Sequence, residues 1–304
     1  MMEKHYRFAG IEITIDIPGE YMYENERNLA PFRVDAVTDP HRFRYRLCDS
    51  LDSPTGPCIA NRPGLRVYRD GERRISYVGT VHESWEHACT RALHDGKHHQ
   101  VQVQSSFYPN QISAKAVLNS LELERLVTEG DGFLFHCAYV AVEDRAILFT
   151  APSGVGKSTQ AELWHSLRGA EIVNGDRAVL RCTGGRVLAS GIPFSGSSSY
   201  CLNRELEVAA IVYLGQAPVT NIRRLKGYGA FSRIWEGASA HTWDPEQMAR
   251  VSALAAEIAE AVPIYHLMCT PDESAVNILE HAMRKGDALR TSSEPNPICP
   301  PICI

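Results

Sequence analysis

The first 110 residues are dominated by short runs in which apolar and polar side chains alternate. IEITIDI (11–17), RFRYRL (42–47), LRVYRD (65–70), RRISYV (73–78) and VQVQSSF (101–107) each repeat with a period of two. That period turns one face of a strand to a core and the other to water. Asp70-Gly71 separates two of these runs as a hairpin turn. DSPTGP (52–57) and NRPG (61–64) are turn clusters. The pattern predicts an antiparallel, half-exposed sheet. His94 and His98 stand four apart with His99 following, but HDGKHHQ contains a glycine and offers no third ligand. A solvated loop is the expectation there, not a metal site.

From residue 111 the periodicity changes. QISAKAVLNSLELERLVT (111–128) carries apolar residues at helical spacing, at Ala114, Val117, Leu118, Leu121 and Leu126. FLFHCAYVAV (133–142) and AILFT (146–150) are nearly continuous apolar runs joined by a short turn. Strands of that kind are buried on both faces. Helical and strand patterns then alternate to about residue 285, the signature of an α/β sheet. Asp244-Pro245 opens one late helix and Thr270-Pro271-Asp272-Glu273 the last, each with proline in the first turn. The expected organisation is an N-terminal β-rich domain (1–110), a mixed α/β domain (111–286) and a Cys/Pro-rich disordered tail (287–304).

At 304 residues, 44% hydrophobic and 22% charged, the chain has enough apolar material for a sizeable core. A net charge of −5 with no basic block argues against a nucleic-acid binder. No apolar stretch nears the roughly 18 residues a membrane span needs, and the N-terminus lacks an apolar signal core. A cytoplasmic protein is the expectation. The nine cysteines are odd in number and scattered, apart from Cys299 and Cys303 in the tail, so no disulfide framework is expected.

The chemistry concentrates in AILFTAPSGVGKSTQAELW (146–164). An apolar strand, a small-residue loop and a helix follow one another, which is the context that the G-x-x-x-x-G-K-[ST] phosphate motif requires. Gly154 and Gly156 let the backbone turn and aim N–H groups at phosphate oxygens. The helix that follows brings its positive end to the same place. Lys157 is placed to reach β- and γ-phosphates, and Ser158 to offer a hydroxyl to Mg²⁺. Ala151 stands at the first glycine position. About 20 residues on, RGAEIVNGDR (168–177) puts Asp176 in a turn after a short strand, where a carboxylate can bind Mg²⁺ or accept a proton from a hydroxyl.

His136, this loop and RGAEIVNGDR together resemble the catalytic domain of the HPr serine kinase/phosphorylase family, within the phosphoenolpyruvate carboxykinase-like group of P-loop proteins. The segment 191–218 resembles one from uncharacterised bacterial HPr-kinase-like proteins. The resemblance implies a mixed α/β P-loop fold. It implies an ATP- and Mg²⁺-dependent kinase that phosphorylates a hydroxyl, a Ser on a protein or peptide. Ser153, Gly154, Val155, Gly156, Lys157, Ser158 and Thr159 would hold the nucleotide, and Ser158 and Asp176 the metal. Asp176, His136 and Lys157 would be catalytic. Two departures stand out: Gly175 replaces the first aspartate of the family's pair, and Thr159 replaces the acidic residue after the P-loop Ser. Two further readings accompany the first, a small-molecule kinase of the same fold and a catalytically impaired nucleotide-binding regulator. Neither nucleic acid nor membrane is an expected partner, and a homo-oligomer is compatible with all three. GIPFSGSSS (191–199) could line the acceptor or phosphate pocket. Of the arginines that could stabilise transferring charge, Arg204 is favoured over Arg177.

Overall fold

The structure is a computed structural model that describes residues 2–19, 28–79, 88–107, 112, 114–196 and 198–290. It is a mixed α/β protein built on two sheets. The first contains β1 (Met2–Phe8), β2 (Ile11–Ile17), β3 (Arg33–Val34), β4 (His41–Cys48), β5 (Cys58–Arg62), β6 (Leu65–Asp70), β7 (Arg73–Val78), β8 (Thr90–Asp95) and β9 (His98–Gln104). Their order is β3-β1-β2-β4-β9-β8-β7-β6-β5. The strands at 11–17, 42–47, 65–70 and 73–78 form where alternation predicts them, and Gly71 turns β6 into β7 at φ +61°.

The sheet is not wholly antiparallel as expected: β2–β4 and β4–β9 are parallel pairs. The chain between those partners runs over 18–40 and 49–97. Connections of that length are what parallel neighbours require, and alternation within a strand says nothing about its neighbour's direction.

The predicted loop around His94 is also overturned. Gly96, at φ +54°, closes a β8–β9 hairpin that sets His94 directly opposite His99, both buried. His41 Nδ1 lies 3.2 Å from His99 Nε2, His99 Nδ1 lies 3.1 Å from His94 Nδ1, and His94 Nε2 lies 3.2 Å from Glu122 Oε1. An ionised Glu122 can only accept, so His94 donates to it through Nε2–H. His94 Nδ1 then accepts from His99, and His99 Nε2 accepts from His41. Satisfying one another is what lets these polar rings sit in a core. No group of three or more His, Cys, Asp or Glu among the described residues is arranged to hold a metal ion.

The helix predicted over 111–128 is two helices, α1 (Ala114–Ser120) and α2 (Leu123–Glu129). The break is at Glu122, a left-handed residue at φ +49°. Its carboxylate is drawn to Arg74, Arg125 and His94, and burial alone would raise its pKa, but His94 and Arg74 hold it well below the usual carboxylate range.

The second sheet contains β10 (Gly132–His136), β11 (Ala138–Val142), β12 (Arg145–Thr150), β13 (Glu171–Asn174), β14 (Arg177–Thr183), β15 (Arg186–Ser190), β16 (Glu205–Gln216), β17 (Asn221–Leu225), β18 (Ala238–Ser239) and β19 (Ile264–Cys269). The apolar run 133–142 is two strands, because the chain changes partner at Cys137. β10 pairs with β14, whereas β11 pairs with β12 and β13. The long strand β16 divides its length: its first residues pair with β15 and its last with β19, while β12 lies parallel beside it.

Helices cover both faces of this sheet. On one, α3 (Lys157–Arg168) and α6 (Glu273–Arg290) bury Trp164, Ala161, Val276 and Leu279 against β11, β12 and β19. On the other, α4 (Gly227–Gly237) and α5 (Pro245–Ala261) bury Ile234, Val251, Ala255 and Ile258. Asp244 caps α5 by accepting from Gln247 N at 3.0 Å, as its sequence predicts. The last helix is capped by Asp272, which accepts from Ser274 N at 2.8 Å. That helix continues to Arg290, past the start of the predicted tail. Residues 291–304, with Cys299 and Cys303, lie outside the described residues.

A third core joins the two sheets. Phe43, Val101 and Val103 of the first pack with Val117 of α1, Leu121 of the break and Leu126 of α2, and with Leu134 and Val179 of the second. No described helix is long and apolar enough to cross a membrane.

Candidate functional site

Four chain ends meet at one end of the second sheet: β10 at His136, β12 at Thr150, β13 at Asn174, and the start of β14 at Arg177. Thr150 Oγ1 donates to His136 O at 2.9 Å, and Cys137 N donates to Asp176 O at 3.1 Å, which ties three of these ends together. The loop 151–156 leaves β12 here, and α3 begins at Lys157.

Loop conformation follows from its glycines. Gly154 stands at φ +81° and Gly156 at φ +123°, both in the region that side chains with a Cβ avoid, and nothing lies within 4 Å of a Cβ built on either. Both are needed for their backbone, and the space beside them is open. Ser153, Gly154, Ser158 and Thr159 are exposed and Val155 is half-buried, so the expected phosphate contacts line an accessible rim. Gly156 caps α3 without a side-chain acceptor, so no capping side chain takes up the first N–H groups of the helix.

Lys157 is buried, with 9% of its surface exposed. Its Nζ donates to Ala151 O at 3.0 Å and to Pro152 O at 3.4 Å. Among the described residues no carboxylate forms an ion pair with it. Burial lowers its pKa, and the nearby Asp176 opposes that. A buried ammonium lacking a counter-ion, set at the positive end of a helix, makes this corner an anion site in waiting.

Asp176 faces the same corner. Its Oδ1 lies 3.8 Å from His136 Nδ1, and its Oδ2 accepts from Arg177 Nε at 3.2 Å. Burial lowers the His136 pKa and the Lys157 charge adds to that, while Asp176 opposes both. The structure thus brings the three predicted catalytic residues, Asp176, His136 and Lys157, to one place.

Arg204 is not there. It pairs with Asp144 and Glu171 at the opposite end of β11 and β13, both at 3.2 Å. Arg177 is the arginine at the site, bridging Asp176 and Glu124 with its guanidinium 5.1 Å above the Phe194 ring. A sequence cannot rank the two, because the ranking depends on which end of a strand each terminates.

Asn174 is a site residue that sequence reasoning missed. It is fully buried. Its Oδ1 accepts from Asp176 N at 2.9 Å and from Arg177 N at 3.0 Å, while its Nδ2 donates to Phe194 O at 2.8 Å and Ile192 O at 3.4 Å. One amide therefore shapes the Asp176 turn and fastens it to the segment 192–194. The available signal was Asn-Gly-Asp at a strand end, since Asn there habitually accepts from the backbone two residues on.

The glycine at 175 has a local cause. A Cβ on that residue would stand 2.6 Å from Ser198 Cβ and nearer still to Ser198 Oγ. At Gly196, a Cβ would stand 2.7 Å from Asp176 Oδ1. Gly196 and Ser198 of the GIPFSGSSS segment thus rest directly on the turn that carries Asp176.

No family model and no curated protein matches the chain. Among solved structures, the Hpr(Ser) kinase/phosphatase from Coxiella burnetii aligns at 14% identity and a TM-score of 0.33, covering 52% of this chain and 95% of that chain. A likeness at that level carries no functional argument, and the chemistry of the site is read from its own residues.

Proposed function

We propose that the chain is a P-loop phosphotransferase that moves the γ-phosphoryl of ATP to a hydroxyl, with Ser on a protein or peptide as the acceptor. The observation that carries this reading is the buried Lys157 ammonium, which has no ion-pair partner among the described residues, held at the start of α3 beside two glycines at positive φ. A triphosphate satisfies that charge, the uncapped N–H groups of the helix, and the open space over Gly154 and Gly156 together.

The donor set also suits Mg²⁺. Ser158 presents an exposed hydroxyl one residue after Lys157, and Asp176 supplies a carboxylate across the corner. Hard oxygen ligands of this kind, completed by phosphate oxygens and water, are what the ion prefers. Bound there, Mg²⁺ would neutralise phosphate charge.

The chain's own residues do the rest. Lys157 and the loop amides hold the phosphates and stabilise charge on the transferring group. Asp176 accepts the proton of the attacking hydroxyl. Arg177 orients that carboxylate by donating to it, and His136, its pKa lowered by burial, stands 3.8 Å from it. Only one carboxylate stands on this turn, so forward transfer is expected and a reverse reaction with inorganic phosphate is not.

Calorimetric titration of Mg·ATP into wild type and Lys157→Ala tests the reading. Binding by wild type that is lost in the variant is expected, and equal affinities would sink it. One observation favours a second reading, a nucleotide-binding regulator: Gly196 and Ser198 lie over the Asp176 turn, where an acceptor has to come. ATP consumption in a single turnover separates the two.

A further inference from the structure

The segment between β15 and β16 has a fixed neck and a free tip. Gly191 N donates to Arg204 O at 2.8 Å and Leu202 N to Val173 O at 2.9 Å, Cys201 bridges to Asn174, and Asn174 holds Ile192 and Phe194. Beyond Phe194 this fastening stops. Among the described residues of the tip, Ser195, Gly196, Ser198 and Ser199, no hydrogen bond joins any to the rest of the chain. Contact alone seats it: Gly196 on the Asp176 carboxylate and Ser198 on Gly175.

Ser198 is the anomaly. Its Oγ is sealed from water and has no hydrogen-bond partner. A buried hydroxyl in that condition costs free energy, which a small movement of the tip would relieve. It is pressed against the residue next to Asp176, in the corner where Lys157 and the glycine-rich loop converge.

We propose that Ser198 is a phosphoryl acceptor in cis: the tip occupies the acceptor position, and the chain phosphorylates its own Ser198. The proposal rests on the phosphotransferase reading and adds to it a modification site and a form of regulation. Ser198 Oγ attacks the γ-phosphorus of a bound nucleoside triphosphate. A P–O bond forms to the serine, the bond from phosphorus to the β–γ bridging oxygen breaks, the hydroxyl proton passes to the Asp176 carboxylate, and the nucleoside diphosphate leaves. The product carries two further negative charges next to the Asp176 carboxylate. Repulsion then drives the tip off the turn and opens the acceptor position to a substrate in trans. Among its described residues the tip has no hydrogen bond to the rest of the chain that this move would break.

The test uses the full chain with Mg·ATP and no other protein. A mass increase of about 80 Da, mapped by fragmentation to Ser198, is expected. Its first-order rate should hold over a hundredfold dilution of the protein. Ser198→Ala should abolish the increase, and Asp176→Asn should slow it by roughly 10²–10⁴. Mg·ATP that binds in calorimetry yet leaves the mass unchanged overturns the proposal and spares the nucleotide reading. Phosphate on another residue, or a rate proportional to protein concentration, also overturns it. Absence of Mg·ATP binding removes the underlying reading as well.

Discussion

Gly175 and Ser198 meet so closely that no side chain fits between the Asp176 turn and the loop over it: a Cβ on residue 175 would stand 2.6 Å from Ser198 Cβ. A carboxylate at 175, as in the HPr-kinase pattern that the sequence resembles, is therefore incompatible with this seating of the loop. Gly175→Asp cannot simply restore a carboxylate pair, because it must first displace the tip.

The contact is measurable as a coupling energy. Gly175→Ala should cost about 1–3 kcal/mol, the usual penalty for forcing a methyl group into a filled space. Combined with Ser198→Gly, which removes the obstacle, most of that loss should return. Denaturant melts of the two single variants and the double variant form the cycle. Strict additivity would show that the tip does not rest on Gly175 in solution.

Lys157→Ala should leave the fold intact and abolish measurable Mg·ATP affinity. The substitution removes a buried cation whose partners among the described residues are two carbonyls, so stability should change little or rise. Thermal melts with and without nucleotide check both halves: the ligand-induced rise in Tm vanishes and the unliganded Tm holds.

Asp176→Asn keeps the hydrogen bond to Arg177 available but removes the proton acceptor. Single-turnover transfer should fall by roughly 10²–10⁴ while Mg·ATP still binds, more weakly. A loss below about threefold would reassign the base and make Asp176 a turn residue. His136→Gln should have the smaller effect, since its ring stands 3.8 Å from the carboxylate, beyond hydrogen-bonding distance.

Asn174→Ala should be the most damaging single change near the site. It strands the N–H groups of Asp176 and Arg177 and releases the carbonyls of Ile192 and Phe194. Each buried group left unsatisfied costs about 1–3 kcal/mol. Fold retention by circular dichroism together with a sharply lowered Tm is expected, and an unchanged Tm would mean that the turn holds its shape without the amide.

What could be read from the residues was whatever one segment decides alone. Strand β2 hides Ile11, Ile13, Ile15 and Ile17, and β12 is apolar from Ala146 to Phe149, so period and composition suffice. Loop 151–156 was legible because strand, glycines and helix are contiguous. Strand β1 was not, because Lys4 is buried on the same face as Tyr6 and Phe8 and disguises the alternation. The break at Glu122 was invisible for another reason: helical spacing continues through it, and the residues that pull it out, Arg74 and His94, belong to other strands. The Asp176 corner was partly legible. Its carboxylate and lysine were in motifs, whereas Arg177 and Asn174 acquire their roles only when strand ends are placed together.

The histidine chain gives the last prediction. Burial lowers the His41 pKa from 6.5 to about 4, and that of His99 to about 2, where burial and the neighbouring His94 act together. The folded state holds these rings neutral, so the unfolded chain binds more protons as the pH drops. Their contribution to stability is complete above pH 6.5 and is lost as the pH falls toward 4, with His99 extending the loss below that. Replacing His41 by Gln keeps a polar group near His99 without the titration. Wild type should thus lose stability more steeply than His41→Gln between pH 6.5 and about 4, measured by denaturant melts at several values. Carboxylates that titrate in the same range contribute to both proteins and cancel in the difference. The tautomers should also be visible at pH 7 by ¹⁵N chemical shifts, with the proton on Nε2 of His94 and on Nδ1 of His99 and His41. Parallel pH profiles for the two proteins would show that His41 is charged or free in solution, and that the chain from His41 to Glu122 does not hold it neutral.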